Sequence, residues 1–101
     1  MPSLKKHPLF DCDLEAAAFW YGQRNPAIAE RLIDDTALTI RTNMVDPLRF
    51  SVWAGETRRI RLRRFPYLIF YDFRQETVYL VALAHGARDL SSLLQERRSA
   101  G

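Results

Sequence analysis

The apolar positions in the first half of the chain repeat with the period of an α-helix. Four of them share one helix face through their i, i+3, i+4, i+7 spacing: Leu14, Ala17, Ala18 and Tyr21. Asp13 precedes them and belongs to the residue types that cap helix N-termini. The pattern predicts a helix that begins at Leu14 and ends near Arg24, because Asn25 and Pro26 form a turn signal.

A second helix is predicted to begin with Pro26 in its first turn, where a missing backbone N–H leaves no hydrogen bond unmade. Its apolar stripe follows the 3.6-residue period: Ala29, Leu32, Ile33, Thr36, Ala37, Ile40 and Met44. Asp46 and Pro47 end this helix. Because the link between the two helices is short, they are expected to form an antiparallel helical hairpin.

The second half of the chain is typical of β-strands. Three strands are predicted over residues 58–64, 67–73 and 77–84, with residues 74–76 as a short hairpin connection. Asp89 can cap a last helix that runs through Leu90, Leu93 and Leu94. Residues 48–56 fit neither period and stay unassigned. The order predicts an α+β fold in which an N-terminal helical hairpin packs on a small antiparallel sheet, with a short C-terminal helix.

The first predicted strand carries five arginines within the seven residues 58–64. At the strand period of two, Arg59, Arg61 and Arg63 point to one face while Ile60 and Leu62 point to the other. Exposed strands also carry arginines merely to protect a sheet edge, and that interpretation stays open. Five arginines without an interspersed acid exceed this need, so the row favours an anionic partner.

Composition limits the remaining classes of site. A length of 101 residues suits a single domain spanning residues 1–101. The first fifty residues carry six basic and seven acidic side chains, whereas the rest carry nine and five, so the basic character belongs to the second half. Cys12 is the only cysteine, which excludes an internal disulfide and a cysteine-based zinc site.

Other sequence features indicate a cytoplasmic protein that acts without a cofactor. No apolar run approaches the ~20 residues of a membrane helix, and we expect a cytoplasmic protein without membrane contact. The two histidines lie far apart in sequence, and there is no glycine-rich phosphate loop. We therefore expect neither a metal nor an organic cofactor.

Aromatic side chains on the first helix suggest a hydrophobic groove. Most aromatics in so short a chain belong to the core, which is the default interpretation for Phe19 and Tyr21. Phe19 and Trp20 diverge by about 100° on a helix, however, so they cannot both face one narrow core. One of them is expected to face a groove for a partner peptide.

Several segments together resemble the ParE/RelE toxins of bacterial toxin-antitoxin systems. They are Leu14-Glu15-Ala16-Ala17 with Trp20-Tyr21, then Arg64-Phe65-Pro66-Tyr67, Tyr71, and His85 through Arg88. The resemblance covers about residues 10–98. It implies a toxin that is neutralised by a cognate antitoxin, with which it forms a hetero-oligomer, and it implies that Phe19, Trp20 and Trp53 bind this antitoxin.

The two branches of this family imply different targets. RelE-like members cleave messenger RNA on the ribosome, whereas ParE-like members inhibit DNA gyrase. Arg59, Arg61 and Arg88 match basic positions of the nucleases, but Leu68 replaces a further arginine and Leu94 replaces a tyrosine of their last helix. A leucine can neither move a proton nor hold a phosphate.

His85 is the one residue that could restore proton transfer, with Arg59, Arg61 and Arg88 as the cationic part of a nuclease site. Its alternative role is structural, as a hydrogen-bonding partner in the turn at Gly86. The resemblance therefore favours a gyrase inhibitor that binds its target through Arg59, Arg61, Arg63 and Arg88. The alternatives are a RelE-like ribosome-dependent endonuclease, or an interaction module that has lost toxicity.

Overall fold

The described part of the chain forms three α-helices, one 3₁₀ helix and a five-stranded sheet. The structure is a computed structural model and describes residues 2–87 and 89–100. In chain order the elements are β1 (Ser3–Lys6), α1 (Phe10–Gly22), α2 (Pro26–Asn43), a 3₁₀ helix (Pro47–Arg49), β2 (Val52–Ala54), β3 (Thr57–Arg61), β4 (Tyr67–Arg74), β5 (Thr77–His85) and α3 (Leu90–Ala100). The predicted α+β class and its order of helical hairpin, sheet and C-terminal helix are confirmed.

The sheet has the strand order β1-β5-β4-β3-β2, and its pairs from β2 to β5 are antiparallel, as predicted. The additional strand β1 pairs in parallel with β5, from Ser3 opposite Thr77 to Lys6 opposite Leu80, so the complete sheet is mixed. All four residues of β1 are exposed. Because β1 buries no face, its sequence has no hydrophobic alternation by which a strand could be recognised.

Helix α1 begins four residues before the predicted start. Phe10 is its first residue, and its buried side chain extends the apolar face toward the N-terminus. Leu9 occupies the N-cap position and makes no side-chain cap hydrogen bond. The predicted capping role of Asp13 is therefore wrong, because this residue lies inside the helix and its carboxylate bonds to other elements.

Helix α2 begins as predicted. The Asn25 side chain accepts a hydrogen bond from the backbone N–H of Ala27 at 3.0 Å, and Pro26 follows the cap directly. The predicted stripe is buried at Leu32, Thr36 and Met44. Two of its members, Ile33 and Ala37, are exposed instead and line a groove next to β1.

The unassigned segment 48–56 forms the end of the 3₁₀ helix and the edge strand β2. Gly55, with a φ of 56°, connects β2 to β3. A positive φ at this turn suits glycine because it has no Cβ.

The two faces of the sheet have separate cores. The hairpin face, covered by α1 and α2, is formed by the buried residues Ile60, Leu62, Ile69, Tyr71, Val78, Leu80 and Leu83. The α3 face carries Phe70, Val81, Ala82 and Ala84, which pack against Leu90, Leu93 and Leu94 of α3. Successive side chains of β3 therefore point alternately to the hairpin face and to the α3 face.

A bulge at Val81 interrupts the pairing of the two longest strands. Tyr71 lies opposite Leu80 and Phe70 lies opposite Ala82, so Val81 has no partner on β4. Its carbonyl accepts a hydrogen bond from the Arg97 guanidinium at 3.0 Å. The bulge is therefore the point at which β5 is hydrogen-bonded to the C-terminal part of α3.

A buried ion pair joins α1, β5 and α3. The two guanidinium nitrogens of Arg97 donate to the carboxylate of Asp13 at 2.7 and 2.6 Å, and the Leu83 backbone N–H donates to the same carboxylate at 3.1 Å. Only 7% of the Arg97 side chain and 10% of that of Asp13 are exposed. The hydrogen bond to Asp13 raises the pKa of Arg97, although burial acts in the opposite direction. This contact fixes α3 across the sheet.

Candidate partner-binding surfaces

Two arginines of β3 form an exposed cationic pair, which we call the arginine pair: Arg59 and Arg61. Ile60 between them is buried on the hairpin face. Arg59 lies opposite Phe70 and Arg61 opposite Leu68, which places both arginines on the α3 face. Their Cα atoms are two strand residues apart, or roughly 6.5–7 Å. The sheet therefore holds two cations on a regular strand.

The other three arginines of this segment have different environments. Arg58 is half-buried and donates a hydrogen bond to the Phe50 carbonyl. Arg63 and Arg64 are exposed in the bend after β3. The predicted position of Arg63 on the strand is wrong, because β3 ends at Arg61 and the Leu62 N–H closes the bend on the Tyr67 carbonyl at 3.0 Å.

The surroundings of the arginine pair are apolar. Leu94 of α3 is buried in the cluster that covers Phe70 and Ala82, and Leu68 packs against the same cluster. Arg61 is the cross-strand neighbour of Leu68. The two leucines that depart from the nuclease pattern thus belong to the packing between α3 and the sheet.

His85 lies on the other face of the sheet from the arginine pair. It is opposite Tyr67, whereas Ala84 is opposite Leu68, the neighbour of Arg61. Adjacent residues on a strand point to opposite faces. The His85 Nδ1 accepts a hydrogen bond from the Ala87 N–H at 3.0 Å, which matches the predicted structural role in the turn. The structure does not bring His85 and the arginine pair into one site, and Arg88 lies outside the described residues.

Trp20 of α1 lines a groove of about 470 Å³ between α1 and β5, whereas Phe19 is not among the residues that line it. Phe19 and Trp20 are 68% and 49% exposed, so the default placement of Phe19 in the core is wrong. Of the two, Trp20 faces the groove, as expected for one of them, whereas Phe19 is exposed outside its lining. Binding of a partner peptide there stays a prediction. Trp20 contacts Tyr21 edge to face at 4.9 Å, and Tyr21, Tyr67 and His85 complete the groove wall.

Sequence reasoning missed Arg24 as part of this surface. Its guanidinium carbon lies 3.7 Å from the centre of the Trp20 ring, and the same side chain donates to the Trp20 carbonyl at 3.1 Å. A cation–π contact at an exposed site contributes about 0.5–1 kcal/mol, which favours this orientation of the ring. The signal was present, because residues at i and i+4 of a helix lie side by side.

One family model matches residues 4–90, from β1 to the first residue of α3. It is described as the ParE toxin of the type II toxin-antitoxin system, parDE. The chain belongs to the ParE toxin family. The match contains β3 with its arginines and the whole of α1, so both surfaces described above lie inside it.

A solved structure supports this membership of the ParE toxin family at the level of the fold. It is a chain from the chromosomal ParDE TA system of P. aeruginosa, which is 17% identical and superimposes with a TM-score of 0.75. The alignment covers 84% of the present chain and 96% of that chain. Among curated proteins, none is similar enough in sequence to count as a match.

Trp53 lies apart from the other two aromatics that the ParE/RelE resemblance assigns to antitoxin binding. It is half-buried on β2 and meets the Phe70 ring at 5.6 Å, edge to face. Trp53 thus packs on the α3 face, whereas Trp20 borders the groove beside α1. An antitoxin that contacts both tryptophans would have to reach two surfaces of this ParE-family chain.

Two further observations concern metals and membranes. Over residues 2–87 and 89–100, no group of three or more His, Cys, Asp or Glu side chains could hold a metal ion. None of the helices in the same ranges combines the length and apolar character needed to cross a bilayer.

Proposed function

We propose that this ParE-family toxin inhibits DNA gyrase by direct binding and that a cognate antitoxin neutralises it in the cytoplasm. The arginine pair carries the proposal. Arg59 and Arg61 are held on a strand, are exposed, and take part in no ion pair between described residues. Arg63 in the following bend and Arg88 complete the proposed target contact. Such cations suit an acidic protein surface or a protein-bound DNA.

The surroundings of the arginine pair favour binding over RNA cleavage. Cleavage by attack of a 2′-hydroxyl needs groups that accept and donate protons beside the scissile phosphate. Next to Arg61 the structure has Leu68 and, packed in the same cluster, Leu94. His85, the residue best suited to proton transfer, faces the opposite side of the sheet. This geometry supports a surface that binds a partner without cleaving RNA.

We propose that the antitoxin binds the groove beside α1 through Phe19 and Trp20. Both rings are exposed, and the Arg24 contact favours the observed orientation of the Trp20 ring. Exposed aromatic rings are typical anchors in protein interfaces, and Trp20 lines the groove itself. Trp53 is the third proposed contact, on the α3 face. The toxin and the antitoxin would then form a hetero-oligomer.

Two assays with the purified protein test the target. We expect inhibition of gyrase-catalysed supercoiling and, in a separate translating extract, intact messenger RNA. Addition of the antitoxin should restore supercoiling. Message cut within the ribosomal A site, together with unaffected supercoiling, would show that the protein is a RelE-like endonuclease and that the gyrase proposal is wrong.

A further inference from the structure

A second cationic surface lies at the edge of the sheet where β1 pairs with β5. Tyr79 of β5 is half-buried there, with Lys5 opposite it on β1 and Asp72 opposite it on β4. The Lys5 ammonium is 6.0 Å from the centre of the Tyr79 ring, and the Arg74 guanidinium carbon is 4.7 Å from it. Two cations from the strands on either side of β5 therefore approach one aromatic ring.

These two cations differ from the other basic residues that line the same cleft. Lys6 pairs with Asp11, Arg97 with Asp13, and Arg98 lies 3.7 Å from Asp72. Neither Lys5 nor Arg74 belongs to an ion pair among the residues that the structure describes. Both side chains are exposed. Because neither charge is neutralised by a carboxylate, an anion bound beside them would be stabilised.

His7 also lies in the wall of this cleft. Its Nδ1 accepts from the Leu9 N–H at 3.1 Å, so the neutral ring carries its proton on Nε2. This Nε2 is buried and has no hydrogen-bond partner within residues 2–87 and 89–100. A buried donor without an acceptor is unfavourable. This atom has almost no exposed surface from which to reach a ligand, so the available donors of the cleft are those of the exposed Lys5 and Arg74 side chains.

The shape of the cleft suits a small ligand. Its volume is about 680 Å³, within the range of small-molecule sites, and the Tyr79 ring and Val81 add an apolar part to its lining. Glu56 and Asp72 are the acidic residues among the lining side chains, against five basic ones. We propose that this cleft binds the phosphate group of a nucleotide, with Lys5 and Arg74 as its cationic ligands.

Titration of the full chain with adenosine monophosphate, followed by ¹H–¹⁵N NMR, tests this proposal. We expect shifts centred on Lys5, Arg74, Tyr79 and Leu80. Inorganic phosphate should compete at the same residues more weakly, and adenosine should not bind. The variants Lys5→Gln and Arg74→Gln each remove one charge-assisted contact and should weaken nucleotide binding by about tenfold.

Matched controls separate this cleft from the arginine pair. Arg31→Gln on α2 removes an exposed charge that does not line the cleft and should leave nucleotide affinity unchanged. Arg59→Ala combined with Arg61→Ala should also leave nucleotide affinity unchanged, although the gyrase proposal requires these two arginines for toxicity. Retained folding of each variant is checked by its thermal transition.

Three outcomes would overturn the proposal. The first is no shift with either nucleotide or phosphate. The second is equal binding of adenosine, because the phosphate would then contribute nothing. The third is nucleotide affinity that depends on Arg59 and Arg61 but not on Lys5 and Arg74. If one cleft variant fails to fold, the other decides between these outcomes.

Discussion

The hairpin face of the sheet is covered by two helices, whereas the α3 face is covered by one helix of 11 residues. The hairpin face buries large side chains from β3, β4 and β5, such as Ile60, Ile69 and Leu80. The single helix leaves Arg59 and Arg61 exposed on β3 and Lys5 exposed on β1. The same sheet thus supplies stability on one side and charged surface on the other.

This difference shows where rigidity comes from on the thinly covered side. Helix α3 packs through a small cluster of leucines, and a buried ion pair with α1 adds a long-range connection. The arginine pair depends on this arrangement only indirectly, because β3 is already held by β4. Stability and partner binding should therefore respond to different substitutions.

Removal of the α3 anchor should have the largest effect on stability. Arg97→Ala leaves the Asp13 carboxylate buried without its cation, and we expect the free energy of unfolding to fall by about 3–5 kcal/mol. Urea denaturation measures this change. Lys6→Ala is the matched control, because both side chains of its ion pair with Asp11 are exposed, at 47% and 58%, and such pairs contribute about 0–1 kcal/mol. Equal effects of the two substitutions would contradict the anchoring role of Arg97.

Arg59→Ala combined with Arg61→Ala should abolish toxicity without unfolding the protein. Each arginine is expected to lose a charge-assisted contact to the target of about 1.5–3 kcal/mol, while exposed substitutions change stability by less than about 0.5 kcal/mol. Growth after induction and supercoiling inhibition are the readouts. Arg31→Ala with Arg49→Ala removes the same charge from α2 and from the 3₁₀ helix and should stay toxic. A toxic Arg59/Arg61 variant would exclude the pair from target binding.

Trp20→Ala should weaken antitoxin binding while the arginine pair remains functional. An exposed aromatic anchor contributes about 2 kcal/mol or more at such interfaces, so we expect at least a tenfold loss in affinity by titration calorimetry. Phe19→Ala should act in the same direction. Supercoiling inhibition by the free variant should equal that of the parent protein. Unchanged antitoxin affinity in both variants would show that the antitoxin binds another surface.

Tyr71→Phe, on the hairpin face, should have the smallest effect on the free energy of unfolding. It should also change how this free energy depends on pH in the alkaline range. Burial raises the pKa of Tyr71 from 10.0 to about 12, and its hydroxyl donates to the Pro47 carbonyl at 2.6 Å. Between pH 10 and 12 the unfolded chain loses the phenol proton while the folded chain keeps it, so stability falls as pH rises through this window. The variant should lose about 1 kcal/mol at neutral pH.

The alkaline part of this prediction is measured by urea denaturation at several pH values. The Tyr71→Phe curve should fall less steeply above pH 10 than the parent curve. Burial also raises the pKa of Tyr67, so some alkaline destabilisation should remain in the variant. Parallel curves for the two proteins would contradict the shifted pKa of Tyr71.

Local sequence signals were sufficient for much of the fold. The Asn25-Pro26 start of α2 depends on neighbouring residues alone, and the cap hydrogen bond is present as the sequence indicates. The alternation of Ile60 and Leu62 with Arg59 and Arg61 also survives, because one side of β3 is buried. Helix geometry predicted that Phe19 and Trp20 could not both face one core, but not that both would be exposed.

Other features depend on contacts between distant parts of the chain. Strand β1 is defined by backbone pairing with residues more than 70 positions later, and its own side chains are all exposed. Asp13 resembles an N-cap in the sequence, but its partner Arg97 is 84 residues away. Arg58 resembles its four neighbours, yet it turns inward to the Phe50 carbonyl. Neither periodicity nor composition encodes such pairings.

The bulge at Val81 decides which chemistry the two sides of the sheet can have. In a strand that alternated without interruption after Leu80, positions 81, 83 and 85 would all lie on the α3 face, and His85 would lie on the same side as Arg59 and Arg61. The extra residue reverses this parity, so that Leu83 enters the hairpin core and His85 faces Tyr67. One inserted position on β5 thereby keeps a titratable imidazole and two fixed guanidinium groups on opposite sides of the protein.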